Sequence, residues 1–251
     1  MEYPKKYSSL KKSNTLNSSD EKNKLVLDVE KWANFVIEKT KSELSDYFSV
    51  DDKNEIPIGY IWARIIRCSN PSCGCEIPLI KQFWLAKKDS KKVTLFPEIL
   101  NKKISFKIFG TGYDPIPKKF LPSKGTISKS IITCLNCHHT IPAKETVKIF
   151  QENKFFEKII SVIYSIPGKR GKFYRHSNSE DLLKFDASCD LLKEKIVKLQ
   201  KSGNHNPIPD ENLPPQGTLG FRVQRYNIKK WGDLYNSRQN LFNLTLLLYL
   251  F

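Results

Sequence analysis

The sequence predicts an α+β protein in which an N-terminal helix precedes antiparallel strands around a four-cysteine zinc ribbon, followed by strand-helix elements. Residues 22–48 place apolar side chains at the spacing of an amphipathic helix. Runs rich in β-branched and aromatic residues follow, and two clusters of cysteines lie directly after such runs. A helix, a series of strands and then mixed elements are typical of the α+β class.

The composition indicates a basic, globular protein. The 251 residues carry 42 basic and 26 acidic side chains, which give a formal net charge of +16, and 39% are hydrophobic. No apolar run reaches the roughly 18 residues that a membrane span requires, and residues 1–17 lack the apolar stretch of a secretory signal. We therefore expect a cytoplasmic protein with no membrane partner. The charge fits either a lysine-rich, solvated surface or a surface that binds phosphates.

The predicted organisation has five segments, which differ in composition and periodicity. They are a disordered lead-in at 1–20, an amphipathic helix and turn at 21–57, a zinc-ribbon region with inserted strands at 58–153, a strand-helix unit at 154–202, and a linker with a C-terminal helix at 203–251. The last helix ends in an apolar face that nothing later in the chain covers, so we expect truncation there.

Within these segments, β-branched runs and period-2 alternation predict the strands. The predicted strands are 58–67, 77–87, 91–96, 101–109, 130–133, 156–165, 173–175 and 221–226. Residues 110–129 are rich in Gly, Pro and Ser and are predicted to form a loop. Helices are predicted at 142–153, from a capping box of Ser177 and Glu180 to about residue 201, and at 237–251.

The two cysteine clusters predict one structural zinc ion. The first cluster contains Cys68 and Cys73, and the second contains Cys134 and Cys137. Each cluster follows a predicted strand and turns through Asn, Pro or Gly, as a zinc knuckle does, so that two sulfurs converge on one ion about 2.3 Å away. Four thiolates form a closed site that contributes folding energy and leaves no position for catalysis.

Other ligand sets remain open at this point. Cys73 can pair with Cys75 instead of Cys68, although a step of two residues is tight for a knuckle. His138 or His139 can replace a cysteine, and the six cysteines can also be unconnected buried thiols. Cys189 lies in a predicted helix and is interpreted as a core residue.

Two basic segments that contain aromatic residues are candidates for contact with DNA. The first is a turn with Lys169, Arg170 and Lys172, followed by Phe173 and Tyr174. The basic residues of the second are Arg222, Arg225, Lys229 and Lys230. Each segment can also be an ordinary surface turn. No catalytic residue is predicted, because the chain has no phosphate loop, serine elbow, HExxH or deaminase motif.

Several motifs together resemble the central region of the zinc-ribbon-containing adenine-specific DNA methylases of bacteria and archaea, some of which are associated with anti-phage loci. The similarity extends over roughly residues 26–244. The motifs are 59–64, 76–79, 83–85, 133–137 with 141–143, 171–175, and 231–235 with Arg238 and Gln239.

The resemblance implies a DNA-modification context. In that family, a Gly-rich S-adenosylmethionine loop precedes this region and an Asp-Pro-Pro-Tyr motif follows it, and neither is present in this sequence. The four-cysteine site is what the resemblance transfers, with Cys75 as a non-ligand. We therefore expect a DNA-binding fragment that acts with methylase parts on adjacent chains. A complete S-adenosylmethionine-dependent methyltransferase subunit and a non-functional frameshift remnant are the alternatives.

Overall fold

The computed structural model describes residues 24–48, 55–203 and 206–250. The predicted lead-in at 1–20 and most of the turn expected at 51–57 lie outside this part of the chain. Within it, an N-terminal helix is followed by antiparallel sheets and then by further strand and helix elements. The α+β prediction is therefore confirmed.

The regular elements are as follows. The strands are β1 (Ile56–Arg67), β2 (Glu76–Pro78), β3 (Trp84–Lys88), β4 (Lys91–Leu100), β5 (Lys103–Gly110), β6 (Ile127–Ser128), β7 (Ile131–Thr133), β8 (Thr140–Ile141), β9 (Phe156–Ser165) and β10 (Phe173–Arg175). The α-helices are α1 (Lys24–Leu44), α2 (Ala143–Gln151), α3 (Ser179–Lys201) and α4 (Ser237–Leu248). Single 3-10 turns lie at Ser45–Tyr47, Thr218–Gly220, Val223–Tyr226 and Trp231–Leu234.

A four-stranded antiparallel sheet, ordered β10-β9-β1-β2, forms the centre of the fold. Its long strands β1 and β9 pair from Ile56 with Ser165 to Ile65 with Phe156. β2 pairs only with the last three residues of β1, where Arg67 lies opposite Glu76. This short pairing places the first cysteine cluster at the corner of the central sheet.

The described residues also form two smaller antiparallel sheets, one ordered β3-β4-β5 and the other β6-β7-β8. The single strand predicted at 77–87 is wrong, because β2 and β3 belong to different sheets. The chain turns between them after Pro78, and Phe83 is buried while its N–H donates to the carbonyl of Pro122 at 2.7 Å. The residue types of a single predicted strand do not reveal that its two halves pair with different partners.

Two local predictions are also corrected. The predicted strand at 221–226 is largely a 3-10 turn, Val223–Tyr226. The capping box of α3 consists of Asn178 and Asp181, one residue later than predicted. The hydroxyl of Ser177 instead donates to the carbonyl of Ile159 at 2.7 Å.

Three apolar clusters hold these elements together. The first packs the central sheet against the β3-β4-β5 sheet, with Ile65 and Val93 fully buried. The second surrounds the cysteines. The third joins α1, α3 and α4 through Leu44, Leu192 and Leu241. In the part of the chain that the structure describes, no helix is both long and apolar enough to cross a membrane.

Candidate metal centre

The two cysteine clusters lie at the ends of two short hairpins. The first connects β1 to β2, where the N–H of Cys68 donates to the carbonyl of Cys75 at 2.8 Å. The second connects β7 to β8, where the N–H of Cys134 donates to the carbonyl of His139 at 2.9 Å. Each hairpin thereby folds its cysteines into a tight turn, as the sequence predicts for a zinc knuckle.

The structure brings the four predicted sulfurs together. The Sγ atoms of Cys68 and Cys137 are 3.7 Å apart, and those of Cys73 and Cys134 are 3.8 Å apart. All four Sγ atoms lie within 4.8 Å of one another. These separations exclude disulfides, which need about 2.05 Å. Four sulfurs at the corners of a tetrahedron, each about 2.3 Å from a central zinc, would be about 3.8 Å apart. The cluster therefore has the dimensions of a four-thiolate zinc site.

The cluster is closed on its inner side by aliphatic packing. Cys68, Cys73 and Cys134 are buried and Cys137 is half-buried. The isoleucines that surround them are 0–1% exposed: Ile66, Ile77, Ile132 and Ile141. A dry environment of this kind favours neutral thiols, so in the absence of an ion burial raises the pKa of Cys68 to about 12 and also raises the pKa of Cys134. A bound cation reverses that preference, because it stabilises thiolates directly.

Two asparagines extend the site in a nearly symmetric way. Asn136, in the second knuckle, directs its Nδ2 to the Sγ of Cys73 at 3.5 Å. Asn70, in the first knuckle, directs its Nδ2 to the Sγ of Cys137 at 3.8 Å. Each amide therefore donates to a sulfur of the opposite hairpin, and the bond from Asn136 is the main cause that lowers the pKa of Cys73 to about 6. Such contacts orient thiolate ligands and link the two knuckles.

Neither asparagine was predicted as part of the site. Both stand two residues after the first cysteine of their cluster, as Cys68-Ser-Asn70 and Cys134-Leu-Asn136. This common offset is the one sequence feature that would have identified them.

The residue after the last cysteine of each knuckle has a left-handed backbone. Gly74 has a φ of 61° and His138 a φ of 58°. Glycine adopts this conformation without steric cost, whereas a residue with a Cβ atom does not. The side chain of His138 is exposed and gains no burial in return. The second knuckle is therefore locally strained where the first is not.

Replacing His138 by glycine is accordingly expected to stabilise the protein. We predict that H138G raises the free energy of unfolding by about 0.5–1 kcal/mol, because the relief of the left-handed strain exceeds the entropy that glycine adds to the unfolded chain. Denaturant titration of the zinc-loaded protein measures the change. H139G is the matched control, since His139 has no positive φ and its Nε2 lies 3.2 Å from the hydroxyl of Ser69. An H138G variant that is no more stable than the wild type, or an H139G variant that gains as much stability as H138G, would contradict this explanation.

The alternative ligands lie outside the cluster. Among the described residues, the only group with metal-ligand spacing consists of Cys68, Cys73, Cys134 and Cys137. Cys75 is buried but does not belong to this group. Cys189, on α3, is half-buried and also separate.

The first predicted DNA segment is exposed, but its aromatic residues are not. Lys169, Arg170 and Lys172 lie on the exposed turn between β9 and β10. Phe173 stacks on Tyr164 with ring centroids 5.7 Å apart, and Tyr174 is only 6% exposed. The aromatic half of this motif therefore contributes to packing.

The second predicted segment also has both exposed and partly buried residues. Arg222, Lys229 and Lys230 are exposed. Arg225 is half-buried, its guanidinium lies 5.8 Å from the ring of Tyr226, and its Nε has no hydrogen-bond partner. The carboxylate of Asp233 accepts hydrogen bonds from the backbone N–H groups of both lysines at 2.9 Å. A carboxylate at this position repels phosphate, so we expect this segment to bind a phosphate backbone less strongly than the β9–β10 turn does.

Comparison of the chain with protein-family models, curated proteins and solved structures found no match.

Proposed function

We propose that the chain is a non-catalytic DNA-binding module whose fold is held together by one structural zinc ion. The observation that carries the proposal is the group of four cysteine sulfurs within 4.8 Å of one another at the ends of two hairpins. Zinc in proteins takes four ligands in a tetrahedron, and four thiolates fill all of them. The ion then has no position for a water molecule or a substrate, so its contribution is to folding.

A structural ion at this place would connect parts of the chain that are distant in sequence. Cys68 follows the central strand β1, whereas Cys137 lies in the turn between β7 and β8 of the small sheet. The pairs Cys68–Cys137 and Cys73–Cys134 join residues 69 and 61 positions apart. The strands β3, β4 and β5 lie in the chain between the two knuckles. A zinc ion that binds both knuckles would therefore hold together the two ends of the segment that forms this sheet.

DNA is the proposed partner because the chain carries a net charge of +16 and exposes basic turns. Charge of this sign and size supports binding to the phosphate backbone. The resemblance to adenine-specific DNA methylases points to the same partner. We propose that the module positions DNA for catalytic parts carried on other chains, since the cofactor loop and the Asp-Pro-Pro-Tyr motif are not present in this sequence.

Salt dependence of DNA affinity tests this function. Four to five lysine–phosphate contacts are expected to lower the affinity for a mixed-sequence duplex by about 100- to 500-fold between 50 and 200 mM salt. Fluorescence anisotropy with a labelled 20-base-pair duplex measures the slope. No binding at 50 mM salt, or an affinity that does not change with salt, would rule the proposal out.

A further inference from the structure

The end of the β3–β4 hairpin lies against the turn between β9 and β10. Lys91 makes the connection, because its Nζ donates a hydrogen bond to the carbonyl of Lys172. The same ammonium lies 5.2 Å from the ring centroid of Phe173 and 5.6 Å from that of Tyr174. One half-buried lysine therefore holds together two turns that are about 80 residues apart in the chain.

The two turns bring basic side chains together with little acidic compensation. Residues 84–92 and 165–174 contain a single acidic residue, Asp89. Six of their basic side chains are exposed, and none of the six forms an ion pair with any described residue. They are Lys87, Lys88, Lys92, Lys169, Arg170 and Lys172.

The register of the β3–β4 hairpin places like charges directly opposite each other. Lys87 pairs with Lys92, and Lys88 pairs with Lys91. Opposed like charges in an antiparallel pair destabilise the sheet. An anionic partner would remove this repulsion. Because side chains alternate along a strand, Lys88 shares the face on which Lys91 meets the β9–β10 turn.

The aromatic residues beside these charges are not available for stacking on bases. Phe173 is stacked on Tyr164 and covered by Lys91. Tyr174 is buried, its N–H donates to the hydroxyl of Tyr113 at 2.9 Å, and that hydroxyl donates to the carbonyl of Tyr174 at 2.7 Å. Proteins that bind single strands need exposed rings on which the bases stack. A basic surface without such rings matches the phosphate backbone of a duplex.

We propose that the ends of the two hairpins form one surface that binds the phosphate backbone of duplex DNA. This twin-hairpin surface comprises Lys88, Lys169, Arg170 and Lys172, and the bond from Lys91 to the carbonyl of Lys172 holds its two turns together. The inference rests on the proposed function and assigns the binding to one location. It adds the β3–β4 hairpin, which is not among the two segments predicted from the sequence.

The test compares equal changes of charge at two locations. K88Q removes one charge from the surface, and K144Q removes one exposed lysine on α2 that forms no ion pair with a described residue. At 0.1 M salt each lost phosphate contact is expected to weaken duplex binding by about eightfold, so K88Q should lose up to about eightfold, and its salt slope should fall by about 0.9. The control should lose less than about twofold, because its lysine contributes only at long range. K169Q/R170Q/K172Q should lose more than K88Q. Thermal melts check that all variants fold.

The possible outcomes distinguish a wrong binding surface from a protein that does not bind DNA. If the wild type binds the duplex but both surface variants behave like the control, the twin-hairpin assignment is wrong while DNA binding stands. If the wild type does not bind the duplex at all, the proposed function itself fails. Tighter binding to a single strand than to the duplex, or binding to phosphatidylserine vesicles in place of DNA, would also overturn the assignment. Loss of duplex affinity at both turns, with the control unaffected, supports it.

Discussion

Replacement of Cys134 by alanine is expected to remove the zinc ion and to lower the free energy of unfolding by more than about 4 kcal/mol, which is typical when a metal site is lost. Cys134 is fully buried, and its sulfur lies 3.8 Å from that of Cys73. Three remaining thiols cannot complete the tetrahedron, and the isoleucines around the cluster lose the centre on which they pack. Denaturant titration combined with zinc analysis measures both effects.

Cys189→Ala is the matched control for this experiment. Cys189 is also a cysteine of low exposure, but it lies on α3 and outside the cluster. Its loss removes one sulfur from a half-buried position, so we expect full zinc content and a change below about 1.5 kcal/mol. Equal losses of stability in C134A and C189A would show that the cluster behaves as ordinary core and has no structural ion.

Replacement of Asp181 by alanine is expected to lower the free energy of unfolding by about 3–5 kcal/mol, the usual cost of breaking a buried ion pair from one side. Asp181 is 6% exposed and accepts two hydrogen bonds from Arg175, at 2.6 and 3.0 Å. It also accepts from the N–H of Asn178 at 2.9 Å, so the same carboxylate caps α3. Its removal therefore disrupts the start of α3 and the ion pair with β10 together.

Glu180 supplies the comparison for Asp181, because it occupies the preceding position of the same helix turn. Its carboxylate pairs with Lys184 one helical turn later and is 53% exposed. Solvent-exposed pairs of this kind contribute at most about 0.5 kcal/mol. Thermal or denaturant unfolding of D181A and E180A therefore separates buried pairing from surface charge. A loss of unfolding free energy below about 1 kcal/mol in D181A would show that the bonds of Asp181 to Arg175 and to the start of α3 do not stabilise the fold as proposed.

The sequence was sufficient to predict the long elements but not which of them pair with each other. The helical spacing of 22–48 and the β-branched runs at 58–67 and 156–165 predicted α1, β1 and β9 because these patterns are local. The pairing of Ile56 with Ser165 is not local, and nothing in either strand specifies the other. The transfer of the chain from one sheet to another after Pro78 was missed for the same reason.

The cysteines were predictable because a knuckle is a local turn with a characteristic spacing, so two such turns suffice to propose one ion.

The proposed twin-hairpin surface was less predictable than the cysteine site. Phe173 and Tyr174 have the composition of a nucleic-acid surface, yet they pack against Tyr164 and Tyr113. Lys91 stands in an ordinary basic run, and its connection to the carbonyl of Lys172 depends on the tertiary fold.

X-ray absorption at the zinc edge of the purified chain identifies the ligands of the proposed ion. We expect one zinc per chain, surrounded by four sulfur atoms at about 2.3 Å with no nitrogen or oxygen ligand. The same spectrum should disappear in C134A. A first shell that contains nitrogen or oxygen, or a zinc content well below one per chain after growth in zinc-supplemented medium, would contradict the four-thiolate structural site.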